Sequence, residues 1–217
     1  SKNDSSKTEQ DLESSLATFA PFCLSVDTAC LLFADIVGFT PLSASLAPEA
    51  LVSLLQSLFR GYDSLTDKHG VYKVETIGDC YFAANGVLNA NGGDAPSLLR
   101  LALDMQREAK KFRNDATGGP LLLRLGLHAG PVVSGVVGFK MPRFHMFGTH
   151  VLLANAVEAA GLPGRVCISD SFRRLLQRQA PDEFQVRPKT EGAETVKVHC
   201  LEETLYLVTP PADTPAP

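Results

Sequence analysis

Residues 29–36, ACLLFADI, form an unbroken apolar run of strand length that closes on an aspartate and an isoleucine. The next periodic segment, 48–70 (PEALVSLLQSLFRGYDSLTDKHG), sets Leu51, Leu54, Leu55 and Phe59 at helical spacing before Gly70 stops it. The pair reads as a strand followed by a helix. Further on, 71–87 (VYKVETIGDCYFAANGV) reads as two short strands joined at Ile77 to Asp79, 95–112 as a second amphipathic helix, and 121–138 as a strand with glycines at its bends. Strand, helix, strand, strand, helix, strand is the split βαβ order of ferredoxin-like folds. The expected fold class is therefore α+β, an α/β sandwich on a βαββαβ core. Segments 144–149, 151–161 and 166–176 add a strand, a helix, and a further strand and helix.

The bulk properties narrow the function. With 217 residues and 45% hydrophobic composition, the chain can bury one substantial core. Its net charge of -4, with 20 scattered Lys and Arg, gives no footprint for a polyanion, so nucleic acid is not an expected partner. Five cysteines (Cys23, Cys30, Cys80, Cys167, Cys200) stand at wide spacings without a CxxC pair, which argues against a disulfide framework or a thiolate zinc site and for a reducing, cytoplasmic setting. No apolar run approaches the roughly 18 residues of a spanning helix, so no membrane contact is expected of this domain. Residues 1–25 read as a linker or flexible N-terminus, 26–209 as the folded domain, and the proline-rich 210–217 as a disordered tail.

Two features carry chemical promise. An aspartate closes the apolar strand and is followed by a glycine turn (Asp35-Ile36-Val37-Gly38-Phe39-Thr40), and a second aspartate follows a glycine in a hairpin (Gly78-Asp79). Taken singly, each is an ordinary strand-end or turn residue that satisfies local backbone donors. Together, two carboxylates at the same end of adjacent strands can hold a hard divalent cation through oxygen. The five histidines make no HExxH-like spacing, and Ser134 sits in no nucleophile elbow, so zinc and serine hydrolysis have no support.

Four segments in order, LLFADIVGFT (31–40), KVETIGDCYF (73–82), LRLGLHAGPVVSGVVG (123–138) and MPRFHMFG (141–148), resemble the catalytic domains of class III nucleotidyl cyclases, of guanylyl cyclase type. The resemblance implies that Asp35 and Asp79 ligate two ions, Mg2+ or Mn2+, with the carbonyl of Ile36 as a further ligand. It implies that the amides of Gly38, Phe39 and Thr40 face the terminal phosphates of GTP. Glu75 matches the guanine-reading glutamate of guanylyl cyclases, and His145 stands at the second base-reading position, where those enzymes carry a cysteine.

The same resemblance implies a deficit. In active members the helix after the last motif carries an Asn that orients the ribose and, four residues on, an Arg that stabilises charge at the α-phosphate; here those places hold Leu152 and Ala156. The lysine near the carboxyl end is also replaced, by Cys200 or a neighbour. Segment 148–169 is similar to the alpha subunits of soluble guanylyl cyclases, which share Leu-Ala-Asn at the positions of Leu153, Ala154 and Asn155. Class III domains pair head to tail, so the leading expectation is a subunit that lends its aspartates to a complete partner in a heterodimer. A pseudo-cyclase that binds without turnover and a homodimeric cyclase are the alternatives.

Overall fold

The computed structural model describes residues 23–87 and 92–209. The expected linker up to residue 22 and the tail 210–217 lie outside the described residues. The first strand, β1 (Cys23–Ile36), starts three residues before the expected boundary at 26, because Cys23, Leu24 and Ser25 pair with Gly135, Ser134 and Val133 of a neighbouring strand. Two helices follow, α1 (Phe39–Ser45) and α2 (Pro48–His69), the latter closed by Gly70 in the left-handed conformation. A hairpin, β2 (Tyr72–Ile77) and β3 (Cys80–Asn85), then leads to α3 (Ala95–Ala109), which is capped at its start by the side chain of Asp94. The strand β4 (Leu123–Val137) completes the βαββαβ core.

The remaining chain extends the sheet. It runs through β5 (Arg143–Phe147), α4 (Thr149–Ala159), β6 (Arg165–Ser169), α5 (Asp170–Gln179), β7 (Gln185–Pro188), β8 (Thr195–Val198) and β9 (Leu201–Thr209). The sheet order is β2-β3-β1-β4-β6-β9-β7, with β5 paired to β4 and β8 to β9; β4 and β6 are parallel and the other pairs antiparallel. The first four strands thus stand in the ferredoxin-like order β4-β1-β3-β2, which makes the expected α+β class correct. Helix α1 and strands β7 to β9 were not anticipated by the sequence reading.

Strand alternation divides β1 between two layers. Cys30, Leu32, Ala34 and Ile36 join the main core with Leu58 and Tyr62 of α2, Leu98 and Met105 of α3 and Phe172 of α5. Leu31 and Phe33 face the other side with Phe82, Met146 and Ala154, and Phe33 stacks on Phe82 at 4.3 Å between ring centroids. Asp35 falls on this second face, the one that α4 covers. Two glycines let α4 approach: a Cβ on Gly126 would overlap the backbone of Glu158, and one on Gly130 would overlap the ring of His150.

Candidate active site

Asp35 arrives at the end of β1 because the strand is too apolar to continue toward solvent and turns at Gly38, whose φ of 71° is left-handed. Asp79 arrives from the β2–β3 hairpin, a two-residue loop between the paired Ile77 and Cys80, with Gly78 at φ 63°. Since Ala34 pairs with Tyr81, the two aspartates end at the same sheet margin, near enough for the charge of Asp35 to act on Asp79. Burial, then the charge of Asp35, push the Asp79 carboxyl up to about 6. Burial and the surrounding carboxylates push the neighbouring Cys80 thiol up to about 12.

Ile36, the last residue of β1, directly follows Asp35, so its backbone stands beside the pair. Phe39 and Thr40 fall in the first turn of α1, where helical amides have no intrahelical acceptor, and Gly38 is its N-cap. The phosphate-facing amides and the two aspartates of the sequence reading are therefore adjacent.

Two residues that the sequence reading missed complete this corner. Arg124 is the register partner of Asp35 across β1 and β4. Its Nη2 donates to Asp35 Oδ2 at 2.7 Å and its Nε donates to Glu158 Oε1 at 3.1 Å. Burial opposes the guanidinium charge, but these two bonds outweigh it and hold the Arg124 pKa above its ordinary value. Burial and the Asp35 charge raise Glu158 to about 6 against the pull of Arg124. The signal for both lay in the sequence as a lone charge in an apolar stretch, Arg124 in LLLRLGL and Glu158 in LLANAVEAA.

Among the described residues no three His, Cys, Asp or Glu side chains form a cluster arranged to hold a metal ion. The two aspartates nevertheless fit a hard cation. They are oxygen donors in mutual repulsion with a partly exposed opening, and the remaining coordination positions fall to backbone carbonyl, nucleotide oxygens and water.

The second cluster lies 70 positions apart in sequence yet together in space. His145 Nδ1 on β5 is 3.8 Å from Glu75 Oε1 on β2, too far for a hydrogen bond, beside an open cleft of about 320 Å³ lined by Tyr72, Glu75, Arg143 and Phe144. Leu152 and Ala156 stand one turn apart on α4; Leu152 is 52% exposed and Ala156 half-buried, and neither offers a polar side-chain atom. Other exposed apolar side chains are Val136 and Val137 at the end of β4, Phe147 on β5, and Phe139 and Met141 between them, the last two about 70% exposed.

A sheet of this order, with paired aspartates at one margin and a cleft between β2 and β5, matches the catalytic domains of class III cyclases. The profile "Adenylate and Guanylate cyclase catalytic domain" matches residues 24–209, and the chain belongs to that family. It is 42% identical to rat guanylate cyclase soluble subunit beta-2 over 153 residues (70% of this chain, 22% of the relative). It is equally 42% identical to mouse guanylate cyclase D over 184 residues (83% of this chain, 16% of the relative). The chain thus spans about a fifth of the length of these curated relatives. Among solved structures, the guanylate cyclase domain of RhGC from Catenaria anguillulae in complex with GTP superposes with a TM-score of 0.72 at 29% identity, covering 86% of this chain and 98% of that one. The adenylyl cyclase CyaB from P. aeruginosa matches in fold with a TM-score of 0.75 at 24% identity, covering 90% of this chain and all of that one. Among the described residues no helix is long and apolar enough to cross a membrane.

Proposed function

We propose that this domain is a guanylyl cyclase subunit that lends Asp35 and Asp79 to one composite site, completed by a second cyclase domain, for conversion of GTP to cyclic GMP and pyrophosphate. One observation carries the reading: Asp35 and Asp79 come together at one sheet margin, while Leu152 and Ala156 put no polar side-chain atom at the two α4 positions where active members carry Asn and Arg. Asp35, Asp79 and the Ile36 carbonyl hold Mg2+ or Mn2+, and the amides of Gly38, Phe39 and Thr40 receive the terminal phosphates at the start of α1. Bound divalent ions lower the pKa of the attacking 3'-hydroxyl and neutralise the leaving pyrophosphate. Arg124, shared between Asp35 and Glu158, neutralises part of the Asp35 charge in the metal-free chain and must yield that carboxylate to the cation.

The ribose and α-phosphate contacts come from the partner's Asn and Arg, because Leu152 and Ala156 supply neither a donor nor a charge. Glu75 and His145 belong by the same logic to the opposite, degenerate half-site. The likeness of 148–169 to soluble alpha subunits supports a heterodimer, and the GTP carried by the RhGC domain supports the substrate. Mixing this chain with a guanylyl cyclase domain that retains Asn and Arg tests the proposal. The expected result is metal-dependent cyclic GMP synthesis that neither this chain alone nor a mixture containing Asp35→Asn provides. A stable heterodimer at background activity makes the chain a regulatory pseudo-cyclase instead, and robust turnover by the chain alone makes it a homodimeric enzyme.

A further inference from the structure

We infer that Glu158 is a positioning residue of the metal half-site: it shares Arg124 with Asp35 and retains that guanidinium when Asp35 turns to a cation. The inference rests on the reading of Asp35 and Asp79 as metal ligands. Arg124 uses two neighbouring donors of one guanidinium edge, Nη2 on Asp35 and Nε on Glu158, so the two carboxylates sit side by side against a single planar cation. Glu158 is 5% exposed, and its position is set by the packing of α4, since the bare Gly126 of β4 admits the backbone of Glu158 directly above it.

The physical consequence is a competition. A cation at Asp35 withdraws a carboxylate from Arg124. With Glu158 in place the guanidinium keeps a charge-assisted hydrogen bond and part of its neutralisation. Without the Glu158 charge, Asp35 is the carboxylate that Arg124 retains, and drawing Asp35 away leaves a partly buried cation uncompensated next to an incoming divalent ion. Glu158 thus strengthens cation binding although no atom of it belongs to the proposed ligand set.

The test is Mn2+ binding to the isolated chain, followed by electron paramagnetic resonance, in the wild type, Asp79→Asn, Glu158→Gln, Arg124→Met and the Arg124→Met/Glu158→Gln pair. Glutamine is isosteric and its Oε1 still accepts from Arg124, so Glu158→Gln tests charge and not shape; metal-free thermal melting checks that each variant folds. Glu158→Gln should weaken Mn2+ binding by about tenfold, the usual effect of losing an outer partner of a ligand. Arg124→Met should bind at least as tightly as wild type, and adding Glu158→Gln to it should change the affinity by no more than about twofold. Equal weakening in both backgrounds overturns the inference, because Glu158 would then act by its own charge or through the fold. Asp79-dependent binding that Glu158→Gln leaves unchanged overturns this inference alone. Absence of any binding that Asp79→Asn removes overturns the metal reading of the aspartates and this inference with it.

Discussion

Replacing Asp79 by asparagine should make the metal-free fold more stable while removing its cation binding. Asp79 lies in the hairpin loop with its carboxyl near that of Asp35, and burial together with that charge lift it to about 6 from an ordinary 3.8. At pH 7.5 the ionised form is therefore disfavoured in the folded state, by a ceiling of about 3 kcal/mol at 1.4 kcal/mol per pH unit. The side chain is partly exposed, and solvent screening reduces the effect to about 1 kcal/mol. Asparagine suits the turn and keeps a side-chain oxygen as an acceptor.

The sign follows from the raised pKa. The folded chain is favoured relative to the unfolded one below pH 3.8 and loses that advantage as pH rises through 6, so the gain from asparagine is full at pH 7.5 and gone near pH 4. Thermal melting in EDTA at pH 7.5 should show the variant about 2–4 °C above wild type for a domain of this size. Mn2+ at tenfold excess over its dissociation constant should raise wild type by about 1.4 kcal/mol and leave the variant unmoved. A variant that melts below wild type in EDTA would refute the reasoning and return Asp79 to the role of an ordinary turn residue.

Asp35→Asn should act with the opposite sign on stability, costing about 1–3 kcal/mol in metal-free melting, because Arg124 loses a charged acceptor. His128 is buried, hydrogen-bonded through Nδ1 to Ser169 and through Nε2 to His150, and burial then the His150 charge push it down to about 3. Stability that it contributes above pH 6.5 should be lost on acidification toward 3 at up to about 1.4 kcal/mol per pH unit, and His128→Gln should flatten that part of the denaturant-melting curve. The triple change Leu152→Asn, Ala156→Arg and His145→Cys should give the chain measurable cyclic GMP synthesis as a homodimer, read against the unaltered chain at equal metal.

The parts of the fold that sequence made legible are those with one dominant period. ACLLFADI is apolar on both faces because β1 lies between two layers, and 48–69 repeats its apolar residues at helical spacing over six turns. Helix α1 was hidden because seven residues starting beside a glycine and containing Pro41 carry too few turns for periodicity to register. Strands β7 and β8 are four residues each, and β9 is covered on both faces for only part of its length, so LEETLYLVT shows neither clean alternation nor an apolar run. At the site, the aspartates were readable because glycine turns flank them, whereas Arg124 and Glu158 gain meaning only from the β1–β4 register and from the height of α4 over Gly126.

Helix α4 separates the two half-sites by face. Leu153, Ala154, Val157 and Glu158 point inward onto the sheet and tie the helix to Arg124 and the metal corner, while Leu152 and Ala156 lie on the side that solvent reaches. Removing polar atoms from the outer pair changes what the chain can offer to a site across an interface, but it moves nothing that supports Asp35. The reverse also holds at the exposed member of the pair: installing Leu152→Asn alters a surface position alone, so the monomer's stability should change by less than about 0.5 kcal/mol. A larger loss on melting would mean that the outer face is coupled to the inner one, and the two half-sites could not then be assigned independently to one chain.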